Sequence, residues 1–175
     1  MKKILFTIAL LVSFASFGQI TEELVQTIDE LYDKGRNKMG NSDYYGAIAD
    51  YTRIIKIYPV EAEPETAYYN RGLCKMALKD AKGAISDFTR AIEINPNNED
   101  ALSNRGFLRM ALKDFYGALS DYTRVIEINP NDAVAYVNRG YCKMDLNDNV
   151  SACQDFRKAQ EYGYDASDLT TKTCY

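Results

Sequence analysis

Histidine is absent from the 175-residue chain, and with it go the commonest general base, the commonest metal ligand and the usual partner of a serine or cysteine nucleophile. Four cysteines are the next candidates for chemistry: Cys74, Cys142, Cys153 and Cys174. None stands in a C-x-x-C pair, so the zinc and dithiol spacings are both missing, and nothing in the sequence lowers a thiol pKa to make a nucleophile. Carboxylates are numerous, but no two are set in the apolar surroundings that would split their pKa values for acid–base work. They read as solvated helix faces. Glycine-rich phosphate loops are missing as well, so the residue types argue against an enzyme and against a bound cofactor.

What the sequence does hold is recurring partners. Arg71, Arg105 and Arg139 each precede a glycine, and Asp87, Asp121 and Asp155 each follow that glycine by fifteen residues; an earlier set offers Lys34 with Asp50. Opposite charges at constant spacing read as ion pairs that tie two helices together. Asn70, Asn104 and Asn138 stand two residues before the same glycines, and Met39, Met76, Met110 and Met144 stand four residues after Gly35, Gly72, Gly106 and Gly140.

These residues recur because the surrounding chain recurs. Asn70-Arg71-Gly72 returns 34 residues later as Asn104-Arg105-Gly106 and again as Asn138-Arg139-Gly140, and a worn copy lies upstream around Gly35, Ala47 and Tyr51. A fixed period of this length is the signature of a solenoid. Within each unit an aspartate lies eight residues after the glycine (Asp43, Asp80, Asp114, Asp148) and suits the start of a helix, where its carboxylate accepts from free backbone N–H groups. The second helices are thereby placed at Tyr44 to Ile57, Ala81 to Ile94, Phe115 to Ile128 and Asn149 to Glu161. Asn95-Pro96-Asn97 and Asn129-Pro130-Asn131 stop two of them, because proline disfavours helical geometry before it and cannot continue the ladder. Gly46-Ala47, Gly83-Ala84 and Gly117-Ala118 are placed where the second helix approaches the glycine of the first. The first helix of the chain, Thr21 to about Met39, carries an apolar stripe at Leu24, Ile28 and Leu31.

Glycine, alanine twelve residues on (Ala47, Ala84, Ala118, Ala152), an aromatic four further (Tyr51, Phe88, Tyr122, Phe156) and proline twenty-four after the glycine (Pro59, Pro96, Pro130) together resemble the tetratricopeptide repeat. The resemblance covers roughly Ile28 to Ala166; the last unit has Tyr164 where the proline belongs, and three extra residues lengthen the step from Gly35 to Gly72. It implies an all-α, right-handed solenoid of four helix-turn-helix repeats (28–64, 65–98, 99–132 and 133–166), preceded by an N-terminal extension of the first helix (19–27). A short C-terminal capping helix (167–175) follows, expected over Ser167 to Lys172. It also implies a non-enzymatic protein-interaction scaffold that takes an extended peptide or partner segment on its concave face. The alternative is a structural subunit of a cell-envelope complex, held by its convex face or its ends.

In the family the concave surface is lined by one flank of the first helices. At about 100° per residue, the positions three before, two before and one after the glycine share that flank. The binding residues implied are Asn70, Asn104 and Asn138, flanked by Tyr69, Leu73, Phe107 and Tyr141, with Met76, Met110 and Met144 on the border between core and groove. An asparagine amide can meet a peptide group's C=O and N–H together; it can equally solvate the face or bridge adjacent helices. The methionines serve either as core gap-fillers or as an adaptable wall. Members that grip an acidic C-terminus need lysine and arginine here, where this chain has Asn70, Asn104, Val134 and Asn138, so recognition of such an end is not expected.

The chain opens Met1-Lys2-Lys3 before an apolar run to Phe17, and Ser16-Phe17-Gly18 offers small residues at the positions a signal peptidase reads. Residues 1–18 are read as a cleaved signal peptide, with the mature protein beginning at Gln19, periplasmic or secreted, and with no membrane insertion afterwards. No cysteine follows the apolar run to accept a lipid. Removing the segment leaves 19 basic against 25 acidic residues, with no basic stripe to neutralise phosphates, so nucleic acid is excluded as a partner. Export permits a disulfide. Continuing the 34-residue frame past Gly140 lands on Cys174, beside the end of the last helix pair, which favours Cys153–Cys174; Cys142–Cys153 is the rival. Cysteines left over are expected to be buried small hydrophobes.

Overall fold

The computed structural model describes residue 22, residues 24–57 and residues 64–174. The signal segment and its cleavage point, the expected helix start at Thr21, and Pro59 lie outside the described residues. The chain divides into two compact units, Met1–Glu63 and Pro64–Tyr175.

In the first unit, α1 (24–40) pairs with α2 (Tyr44–Ile57) around Ile28, Leu31, Ala47, Tyr51 and Ile54, all buried. The second unit carries three such pairs in succession and a shorter helix. These are α3 (Glu65–Ala77) with α4 (Ala81–Ile94), α5 (Glu99–Ala111) with α6 (Phe115–Ile128), α7 (Ala133–Asp145) with α8 (Asn149–Glu161), and then α9 (Ser167–Thr173). Within the second unit each helix packs chiefly on the ones before and after it in the chain, so apolar burial there is passed along the row and never collected in a single core.

One turn design recurs at every helix pair. Ser42, Lys79, Lys113 and Asn147 hold φ between 62° and 64°, the left-handed conformation that ends a helix, and the next residue's N–H reaches back five residues in a Schellman arrangement, as Asp80 does to the Lys75 carbonyl at 2.9 Å. That next residue is the aspartate placed from sequence, and its carboxylate accepts from the third residue of the following helix: Gly46, Gly83, Gly117 and Ser151. A single side chain thus starts one helix where its backbone has just ended another. Asn98 and Asp132 cap α5 and α7 in the same manner from Ala101 and Ala135.

The structure corrects the role given to Gly46, Gly83 and Gly117. A Cβ at any of them would collide with the capping carboxylate, not with the first helix of the pair. What meets the first helix's glycine is the aromatic ring: a Cβ on Gly72 would come within 2.8 Å of Phe88, on Gly106 within 3.0 Å of Tyr122, and on Gly140 within 2.5 Å of Phe156. Ala84, Ala118 and Ala152 are fully buried beside those rings.

Gly163, at φ 90°, ends α8, and the N–H of Tyr164 returns to the Ala159 carbonyl. The chain then turns into α9. Leu169 stands 34 residues after Ala135, itself 34 after Ala101, and packs on the cluster that holds Phe156 and Ala159, as Ala101 belongs to the cluster that holds Phe88 and Ala91. The helix is therefore the first half of a further repeat, seated in register. It is held at its end by a Cys153–Cys174 disulfide with Cα atoms 5.2 Å apart.

Candidate functional site

The first helices of the second unit carry their positive charges at two positions only. Arg71 straddles the Asp87 carboxylate at 2.7 and 2.8 Å, and Lys75, one turn on, reaches the same carboxylate at 2.7 Å. Arg105 and Arg109 do the same for Asp121, and Arg139 and Lys143 for Asp155. The three aspartates are no more than 3% exposed, and a charge buried that far is costly unless it is paired and hydrogen-bonded, which the two cations do at each one. The hydrogen bond to Asp155 also raises the Arg139 guanidinium's pKa further. Arg105 continues to the Thr89 hydroxyl of the preceding pair at 3.1 Å, stitching α5 to α4. In the first unit the partner of Asp50 is Lys38 at 2.6 Å, while Lys34 lies beside Glu30; the pairing of Lys34 with Asp50 is overturned, because Lys38 lies one turn nearer the second helix. Lys38, Lys75, Arg109 and Lys143 all stand three residues after the glycine. That regularity was the signal for the second cation.

The flank chosen from periodicity holds a mixed surface. Asn70, Asn104 and Asn138 are half-buried; Leu73 and Tyr69 are half-buried, while Phe107 and Tyr141 are exposed. Tyr69 stacks at a tilt on Phe88, and Tyr141 lies edge-on to Phe156. Asn104 donates to the Asp100 carbonyl one turn back at 2.9 Å, and it also meets the Tyr69 hydroxyl of the neighbouring first helix. Burial above all, and then the Asp100 charge, raise that hydroxyl's pKa against the hydrogen bond from Asn104. Here the asparagine bridges adjacent helices and remains at the surface. Met76, Met110 and Met144 are half-buried against the core clusters of their own pairs.

Asp100 joins this flank unannounced, at the position that Val134, already placed on the face from sequence, holds in the next first helix; both are exposed. They stand six residues before their glycines, about 120° round by helical periodicity, and extending the pattern by one turn would have found Asp100.

Cys74 and Cys142 are free and fully buried, and burial pushes both thiols up to about 11. Neither has the thiolate character of a nucleophile. Among the described residues, no group of three histidine, cysteine or carboxylate side chains is placed to hold a metal ion, and no helix is long and apolar enough to cross a membrane.

Helix pairs of one design, stacked through the same seat and closed by a short helix, define an all-α repeat solenoid. The family model described as tetratricopeptide repeat matches residues 66–98 and 99–132, so the chain carries tetratricopeptide repeats over that stretch. No curated protein matches it in sequence. Among solved structures, it is similar to a tetratricopeptide repeat protein from Parabacteroides merdae at 24% identity and a TM-score of 0.78, over 83% of this chain and 58% of that one. It is also similar to YrrB, a TPR protein with an unusual peptide-binding site, at 20% identity and a TM-score of 0.72 over 90% and 86%. A third is the first TPR of Spaghetti (RPAP3) bound to the HSP90 peptide SRMEEVD, at 22% identity and a TM-score of 0.59 over 63% and 90%.

Proposed function

We propose that the protein is a non-enzymatic interaction scaffold that takes an extended segment of a protein partner on its concave face, along α3, α5 and α7. The observation that carries this reading is the exposed flank itself, where Phe107 at 59% exposure, Val134 at 55% and Tyr141 at 37% lie beside one asparagine per repeat. Large apolar groups left in water on an otherwise well-buried helix mark a surface that something covers. YrrB and the Spaghetti repeat, which bind peptides by their descriptions, support the reading. Asn104→Ala with Asn138→Ala should weaken capture of the partner by about 1 kcal/mol per lost hydrogen bond with little change in melting temperature. Capture that persists while stability falls would place the binding surface elsewhere.

The second reading, a subunit of an envelope complex held by its convex face, is favoured by Tyr116 and Val150, each 74% exposed at the second position of α6 and α8. Tyr116→Ser with Val150→Ser would then dissolve the complex and leave peptide capture intact. Export, with cleavage before Gln19 and no lipid, fits the Cys153–Cys174 bond, since disulfides persist in oxidising compartments. The intact mass of the mature chain tests it, and retained Lys2 and Lys3 or added acyl mass would refute it.

A further inference from the structure

The peptide-binding reading names a face, and the charges on that face say what kind of segment fits it. Six positions per first helix share the flank or its border: six, three and two before the glycine, and one, four and five after it. In α3, α5 and α7 none of these is lysine or arginine, and two are acidic, Asp100 and Asp145, both exposed. The cations of these three helices cannot be recruited either. Arg71, Lys75, Arg105, Arg109, Arg139 and Lys143 are all spent on the buried aspartates at 2.6 to 3.1 Å, and releasing one would leave a buried carboxylate short of a partner. The face is thus apolar at Leu73, Phe107, Val134 and Tyr141 and negative at Asp100 and Asp145, with no free positive charge.

Resting on that reading, we infer that the surface of α3, α5 and α7 takes a segment in which lysine or arginine lies next to apolar or aromatic side chains, and that it refuses acidic segments. The apolar side chains cover Phe107 and Tyr141, and the cation sits against Asp100, which Asn104 and Tyr69 flank. An acidic segment would meet like charge with nothing to offset it. The Spaghetti repeat, bound to a peptide ending in Glu-Glu-Val-Asp, is the opposite case.

The test uses the full mature chain and random linear peptides displayed on phage. Enriched peptides should carry lysine or arginine beside leucine, methionine, phenylalanine or tyrosine. They should lose binding to Phe107→Ala, weaken severalfold on Asp100→Lys, and weaken in high salt. Circular dichroism melting of each variant should match the parent, since both side chains are exposed. Peptides that need Phe107 but are acidic, or are indifferent to Asp100→Lys, overturn this inference and leave peptide binding on this face standing. Peptides that bind both variants as well as the parent, or no enrichment at all, overturn the peptide-binding reading and this inference with it.

Discussion

Tyr122 is 1% exposed and its hydroxyl has no hydrogen-bond partner, whereas the same place in the neighbouring repeats holds Phe88 and Phe156. Burial, then the nearby Cys142 thiol and Asp121 charge, push the phenol pKa far up, so the group stays neutral and its burial is uncompensated. Tyr122→Phe removes only that oxygen and should stabilise the protein by about 1 kcal/mol, read as a higher melting temperature; a lower one would show that the hydroxyl is satisfied after all. Asp121 presents the reverse case. Asp121→Ala would leave Arg105 and Arg109 facing a gap at the junction of α4, α5 and α6, and should cost about 3–5 kcal/mol, measured by urea unfolding. The arginines before the glycines made the ion pairs legible from sequence. The second cation was legible too, at its constant step three residues after each glycine, whereas the clash of Gly83 with its cap was not, since it depends on where a side chain ends and only its helix position is periodic.

The turns between paired helices carry their own energetics. Lys113 holds φ 64° although a Cβ disfavours that conformation, so Lys113→Gly should raise stability by up to about 1 kcal/mol, again by thermal melting. A fall would mean that the lysine side chain makes up for the strain. At the start of α8, hydrogen bonds from the Ser151 side chain and backbone lower the Asp148 pKa below its ordinary 3.8. The unfolded chain therefore takes up this proton first, so the cap's contribution is complete above pH 3.8 and is lost as pH falls through the folded value. Asp148→Asn should flatten that part of the acid unfolding curve, and an unchanged curve would assign the acid sensitivity to other carboxylates. All four second helices span the residues read for them; an aspartate starts each and an Asn-Pro-Asn run stops two, and those signals are local. The caps Asn98 and Asp132 were overlooked directly after the Asn-Pro-Asn runs, where proline had already explained the break.

For the molecule as a whole, repetition made the architecture legible, since a period of 34 residues constrains every packed position at once. The binding face was legible only as a flank, because the fold places no demand on what its exposed side chains are. The same nearest-neighbour construction predicts how far a local change travels. Reducing Cys153–Cys174 opens a loop set by a sequence separation of 21, worth about 3 kcal/mol on a chain-entropy account. The element it releases is short: α9 has seven residues, too few to hold as a helix alone, and it is tied to the stack by Leu169, Ala166 and the contact of Thr173 with Met144. Hydrogen exchange followed by mass spectrometry, oxidised against reduced, should show α9 and the facing surfaces of α7 and α8 losing protection, with α3 and α4 unchanged. Alkylation of the reduced native protein should mark Cys153 and Cys174 while sparing Cys74 and Cys142, whose thiols are buried and raised to about 11. Deprotection spreading to α3, or labelling of Cys74 at the rate of Cys174, would show that the repeats open as one unit and that the bond stabilises the whole row.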